Sequence, residues 1–307
     1  MVTSSALPRV AIAALVALST AAGCAPKAAG DSAMDSAMDS ATSGPPQAPF
    51  GRLVIEEVYY SGAAPLESGG DHYYADQFFE LENLSDEPVA LAGVCIGDAA
   101  GLAGTINAGN TPSGLATEDP EHVYLANIWC LPPEAQEDVL SPGGTLVLAH
   151  DGTNHAPYSD LDLSDADFEA YNERDDDADL DYPTVPNLTP FHFTGGYDWL
   201  VTVFGPSMVI FVTADLDALD QKRVDGAPAL MVPVGDVIDG VDALMDAGSG
   251  AYKRLPASVD SGFVHVSGTY TGESLSRVRA PDGRAQDTND SAADFLLRSS
   301  PAPREAR

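Results

Sequence analysis

The sequence predicts an all-β protein built as a two-layer sandwich. Three observations carry that expectation. From Arg52 onward, apolar runs of four to ten residues recur along the chain. Most end on Gly, Pro, Asn, Asp or Ser, residues that punctuate strands rather than helices. Helical periodicity is scarce, so two sheets packed face to face are the architecture that buries one side of each strand.

In chain order, LVIEEVYYSG is rich in β-branched and aromatic residues and ends at a Gly turn. QFFELEN follows. Its alternation sends Phe79 and Leu81 to one face and Phe78, Glu80 and Glu82 to the other, so Glu80 need not be buried deeply. A carboxylate there can accept from neighbouring backbone N–H groups or from an Arg such as Arg277. NLSDEP is then a turn, with Asn83 and Asp86 supplying side-chain bonds and Pro88 fixing entry to the next strand. Further strands are expected in PVALAGVCIG, HVYLANIWCL, GGTLVLAHDG, LMVPVGDVIDGV and FVHVSGTY. DWLVTVFGPSMVIFVT reads as a hairpin with Gly-Pro-Ser at its tip, and DADFEAYNE and VDALMDAG could each form a short helix. Residues 159–182 hold eleven acids and one Arg, which marks an insertion or exposed loop near 156–190. The span is about twice a simple sandwich of roughly 100 residues. No Pro/Gly/Ser linker interrupts it, so one elaborated domain over 50–303 is expected.

The first 24 residues, MVTSSALPRVAIAALVALSTAAGC, place one cation ahead of a short apolar run, then small residues, then Cys24. The run is too short to span a bilayer and fits a secretory signal. Ala21-Ala22-Gly23-Cys24 resembles a bacterial lipobox with Ala where Leu is usual. On that reading residues 1–23 are removed, Cys24 is lipidated, and the protein is anchored in the cell envelope. Ala25 is no retention signal of the Asp type, so the outer membrane is expected where there are two membranes. The alternative is a plain secretory signal cut near Ala22. Residues 24–49, with DSAM twice and then DSAT, form a lipidated low-complexity linker that cannot bury a core. The chain carries 47 Asp and Glu against 14 Lys and Arg, a formal charge of −33. That excess repels nucleic acid and anionic membrane surfaces and favours solubility or cation binding.

Six segments, three near each end of the folded span, carry a family resemblance. Leu53–Tyr60, Asp76–Asn83 and Leu91–Val94 resemble the opening strands of the lamin tail domain, and Ser274–Arg277, Asp287–Phe295 and Pro301–Pro303 resemble its close. More broadly, residues 52–303 resemble a group of bacterial surface lipoproteins of unknown function, through VYYSG, YYADQFFELEN, DLSDADFEAY, VIDGV, KRLP and SGTYTGESLSR in that order. The resemblance implies an immunoglobulin-like β-sandwich and an envelope location, and it implies no activity. Glu80, Asn83, Arg277, Asp287, Asn289 and Asp294 are then structural polar residues, the last three stitching a polar loop that closes a sandwich edge.

Candidate chemistry is sparse. Asp175, Asp177, Asp179 and Asp181 alternate as Ca²⁺ ligands would, but Leu180 and Pro186 stand where an EF-hand needs Gly and Glu. An irregular Ca²⁺ loop and a solvated acidic loop both remain open. The six His show no zinc spacing, and no nucleophile elbow is present. With Cys24 lipidated, Cys95 and Cys130 are an even pair, either disulfide-bonded or two buried thiols. Tyr59, Tyr60, Tyr73, Tyr74 and Tyr270 cluster in loop-like stretches, as recognition surfaces or as strand-edge packing. The function these features predict is non-catalytic binding or structural work at the envelope, on a protein or glycan partner. The alternative is an accessory secreted hydrolase, or a Ca²⁺-dependent binder using the acidic loop.

Overall fold

A computed structural model describes residues 46–66, 74–100, 119–156, 158–175, 179–193, 195–196, 198–199, 201–224 and 226–305. Cys24, Tyr73, Asp177 and most of the 24–49 linker lie outside them. Among the described residues two large sheets pack face to face. One contains β1 (Leu53–Tyr59), β2 (Phe78–Asn83), β7 (Thr145–Ala149), β8 (Phe168–Glu169), β14 (Ser274–Arg277) and β15 (Phe295–Arg298), in the order β15-β14-β1-β2-β7-β8. The other orders β11 (Gln221–Val224), β12 (Ala227–Pro233), β5 (His122–Cys130), β4 (Cys95–Ala99), β10 (Ser207–Phe211) and β13 (Val237–Asp242). Its β9 (Thr189–His192) pairs with the second half of β5. A small ribbon joins β3 (Val89–Ala90) to β6 (Val139–Leu140). Neighbours run antiparallel except β7 and β8, which are parallel.

The alternation read from the sequence decides the layers. Leu53, Ile55, Phe79, Leu81 and Leu275 face Ile96, Met208, Ile210 and Val241 across the central core. The outer faces are covered too. Val123, Leu125, Val209 and Phe211 meet Leu255 and Val259 behind one sheet, and Tyr59, Phe78, Val147 and Ala149 meet Leu161, Leu163 and Val185 behind the other. With both faces covered, β1 and β2 are buried at every position, their glutamates included.

That double covering corrects the expected exposure of Glu80. The residue points to the outer face, yet it is buried. The C-terminal segment lies across it: Ala302 N–H donates to Glu57 Oε1 at 3.2 Å and Arg304 N–H to Glu80 Oε1 at 3.0 Å. Arg277 serves a different place. At the bulge in β1 between Ile55 and Glu57, Ile55 N–H donates to Asp239 Oδ2 at 2.7 Å, and Arg277 Nε donates to Ile55 O at 2.7 Å. Arg277 also pairs with Asp239 at 2.5 Å, Asp287 at 3.4 Å and Asp294 at 3.6 Å. Asp294 in turn accepts from Thr288 N–H at 2.8 Å and Asp290 N–H at 3.2 Å, while Asn289, in the left-handed region at φ 53°, donates its N–H to Asp287 at 3.3 Å. Asn83 accepts from Ser85 N–H at 3.0 Å and donates to Glu87 O and Leu140 O, so its side chain shapes the turn and ties it to β6.

Several expected elements differ. Among the described residues the first arm of the 198–213 hairpin forms no strand; β10 pairs with β4 and β13 instead. Trp199, Val201 and Val203 are buried, and Val201 O accepts from Gln77 Nε2 rather than from a ladder. DADFEAYNE contains β8 and no helix, and VDALMDAG begins as the end of β13. FVHVSGTY contributes one isolated bridge, Val264 to Ala243. Cys95 and Cys130 sit opposite each other on β4 and β5 and are joined by a disulfide. Tyr59 and Tyr60 are core residues and not a surface: Tyr59 O–H donates to Asp76 at 3.0 Å, and the Tyr60 hydroxyl oxygen accepts from Val266 N–H at 3.0 Å. Tyr270 is half-buried in a turn, at φ 57°.

Candidate functional site

The candidate site lies where β2 begins and β7 ends. The β2–β7 ladder continues past Ala149, with His150 N–H donating to Gln77 O at 2.9 Å and Asp151 N–H to Ala75 O at 3.2 Å. This fixes the backbone of Asp151. Asp198 is held from the other side. The next residue, Trp199, stacks on His150 with ring centroids 5.1 Å apart, touches Phe79 and Trp129, and donates Nε1–H to Asp98 at 2.8 Å. Asp179 comes from the acidic insertion, where Asn172 N–H donates to its Oδ2 at 2.8 Å. Ligand-capable oxygens of Asp151, Asp179 and Asp198 lie within 4.8 Å of one another. They line a cleft of about 360 Å³, with Tyr74, Tyr158 and Tyr182 among its walls.

Glu169 on β8 assembles this arrangement. Its Oε2 accepts from Gly152 N–H at 2.6 Å and its Oε1 from Tyr182 N–H at 2.8 Å. One carboxylate thus joins the loop that follows Asp151 to the loop that follows Asp179. Gly152 has to be glycine for this approach. A Cβ there would come within 2.6 Å of Val185 Cγ2 and 2.9 Å of Glu169 Oε2.

Electrostatically the floor of the cleft is crowded. Burial, then Asp198, Asp179 and Glu169, push the Asp151 carboxyl up to about 9. Burial and then Asp179 push Asp198 up to about 7. Burial raises Asp179 to about 6 even though Arg174 opposes the shift, and burial raises Glu169 to about 7 against the two N–H groups that hold it down. Three close carboxylates cannot all stay ionised in a partly dry site unless something positive joins them. Asp198 is only 3% exposed, and its Oδ1 has no hydrogen-bond partner among the described residues. His150 is neutral: burial lowers it to about 3, and Nδ1–H donates to Tyr74 O at 2.9 Å.

Of the acids the alternating pattern singled out, Asp177 lies outside the described residues, and among the described ones only Asp179 reaches this cluster. Asp175 is exposed, and Asp181 accepts from Asn187 Nδ2 at 3.1 Å. The set that converges comes from three separate loops, so no spacing within one stretch marks it. Asp151 and Asp198 were missed because each opens or closes an apolar run and reads as turn punctuation. The Asp-Gly pair at 151–152 directly after a strand was the available signal. Of the tyrosines proposed for recognition, Tyr74 lies in the cleft wall.

The fold and site define an all-β, two-sheet sandwich with a carboxylate-floored cleft at one end. Residues 141–302 match a family described as a protein of unknown function, DUF4876. The chain belongs to that family, and all three clustered aspartates fall inside the matched span. A crystal structure of a DUF4876 family protein from Bacteroides thetaiotaomicron VPI-5482 shares the fold, with a TM-score of 0.68 over 80% of this chain and 70% of that one at 24% identity. No curated protein matches the sequence.

Proposed function

We propose that this DUF4876 protein is an envelope-anchored lipoprotein with a non-catalytic recognition role, and that the cleft takes a hydroxyl-rich ligand such as a glycan. One observation carries the reading: three carboxylates, one of them with a buried oxygen that lacks a donor among the described residues, and three tyrosine rings line one solvent-open cleft. Carboxylates accept from pairs of sugar hydroxyls, and aromatic faces cover the apolar face of a sugar ring. The envelope address rests on the apolar leader and on Cys24, with the 24–49 linker as a spacer. The net charge of −33 turns the surface away from nucleic acid. The finer likeness to the lamin tail rests on the opening and closing motifs of the sequence. Glycan-array binding by the full chain, in Ca²⁺ and in EDTA, tests the reading. A hit weakened by Tyr158→Ala supports it; no hit in either buffer, or hits indifferent to the cleft, refutes it.

One observation favours a second reading, hydrolysis. Neighbouring carboxylates whose proton affinities differ, Asp151 at about 9 and Asp179 at about 6, are the makings of an acid–base pair. Turnover of a chromogenic glycoside or phosphoester that Asp151→Asn abolishes would replace binding with catalysis.

A further inference from the structure

We propose that Asp151, Asp179 and Asp198 together form a Ca²⁺ site at the floor of the cleft, with its solvent-facing positions left for water or ligand oxygens. The donors are all carboxylates, the hard oxygen ligands that suit Ca²⁺ or Mg²⁺ rather than zinc or copper. Both cysteines near the core are tied up in the disulfide. Calcium's tolerance of irregular geometry suits ligands brought together from three separate loops. An ion about 2.4 Å from each ligand can bridge oxygens up to about 4.8 Å apart, and the oxygens of this cluster all lie within 4.8 Å of one another. Magnesium at about 2.1 Å draws its ligands closer and demands a regular octahedron.

The crowding of acids does not stand alone. Asp198 is buried with an oxygen that lacks any partner among the described residues, and that residue lines the cleft. A buried acceptor left unsatisfied is costly and calls for a partner. The backbone around the three aspartates is also fixed beforehand. The extended β2–β7 ladder holds Asp151, Trp199 anchors the segment carrying Asp198, and Glu169 ties together the loops after Asp151 and Asp179. Supporting bonds of this kind orient metal ligands. A cation would offset the mutual repulsion that the uptake of protons otherwise has to relieve.

The site shares its cleft with the recognition reading but stands without it, because the metal can be detected with no glycan present. Trp199, adjacent to Asp198, is a built-in antenna for terbium. Tb³⁺ added to the full chain and excited through tryptophan should give saturable emission from one site, displaced by Ca²⁺ and far less by Mg²⁺. Asp198→Asn should weaken binding on the order of 100-fold, since calcium affinity follows the charge of the ligand set. Asp175→Asn, an exposed acid of the same insertion, should bind as the parent does. Near-ultraviolet dichroism verifies that each variant is folded, and Asp151→Asn carries the same test if Asp198→Asn is not. Absence of sensitised emission from the parent chain overturns the proposal. So does an equal loss in the Asp198 and Asp175 variants, which would show only diffuse attraction to a strongly acidic protein.

Discussion

Asp198→Asn should make the metal-free protein more stable, although it removes a buried charge from the candidate site. The substitution keeps shape and acceptor capacity and deletes one of three carboxylates whose oxygens lie within 4.8 Å of one another. Two unit charges at that separation repel by roughly 3–4 kcal/mol at an effective permittivity of about 20. The cleft admits water, which brings the figure nearer 2 kcal/mol per ionised pair. Asp198 has two such neighbours, and partial protonation of Asp151 leaves between one and two pairs to relieve at pH 8. The expected gain is therefore about 2–3 kcal/mol, a rise in melting temperature of about 5–10 °C for a domain of this size. The assay is thermal unfolding by circular dichroism in EDTA at pH 8 and low salt. Asp181→Asn, outside the cluster, should stay within about 0.5 kcal/mol of the parent. Added salt should narrow the gap between parent and Asp198→Asn, because screening relieves the same repulsion. A variant that melts below the parent in EDTA refutes the reasoning: it would mean that the carboxylate of Asp198 is held by bonds that asparagine cannot make.

Asp76 predicts a pH dependence. Burial raises its carboxyl to about 6 against an ordinary value near 3.8, with the Tyr59 hydroxyl holding it down in part. The folded protein therefore keeps a proton that the unfolded chain releases, and the contribution is full below pH 4 and lost as the pH rises to about 6. The loss is roughly 3 kcal/mol, so the stability difference between Asp76→Asn and the parent should move in the variant's favour by that amount from pH 4 to pH 7; a constant difference in urea melts would refute it. Arg277→Met should cost about 3–5 kcal/mol in urea unfolding, because it strands buried Asp239. Asp239→Asn added to it should recover part of that loss, and no recovery would mean that Arg277 acts through packing alone. Gly152→Ala should cost about 1–3 kcal/mol by overpacking against Val185 and Glu169, and it should weaken Tb³⁺ binding without touching a ligand. A silent variant in both measurements would dismiss the tie between Glu169 and Gly152.

The layers of this fold were legible because alternation is a local signal. Phe79 and Leu81 parted from Phe78, Glu80 and Glu82 in the sequence as they do between the central core and the outer face. Depth was not legible. Whether the outer face stays wet depends on what crosses it, and the residues that cross it, Ala302 and Arg304, lie at the far end of the chain. The hairpin expected at 198–213 failed for a related reason. Its first arm has the composition of a strand, but its backbone acceptor at Val201 goes to a glutamine side chain, and composition cannot say which partner a carbonyl will find. The cluster of Asp151, Asp179 and Asp198 shows the limit most clearly. Each residue taken singly is ordinary punctuation in a chain with 33 aspartates, and only the topology brings these three to one point.

That topology gives Glu169 a role no ligand could fill. β8 joins β7 in parallel as a two-residue edge strand, too short to contribute much pairing energy. Its position places one carboxylate between the loop leaving β7 and the loop that returns from the acidic insertion. Both oxygens are spent on backbone N–H groups, so Glu169 orients the aspartates while remaining outside the set that converges in the cleft. The insertion then has a structural reason for its acidity that does not require every acid to bind. Asp162 and Asp167 serve turns and the C-terminal segment, accepting from Ser164 N–H and from Arg304. Asp181 braces Asn187. Among the described acids of the insertion, Asp179 is the one that lines the cleft. An acidic stretch in which one carboxylate faces the cleft while its neighbours hold the loop in shape differs from a flexible anionic tail. It is the arrangement expected of a segment whose geometry has to be set before a cation arrives.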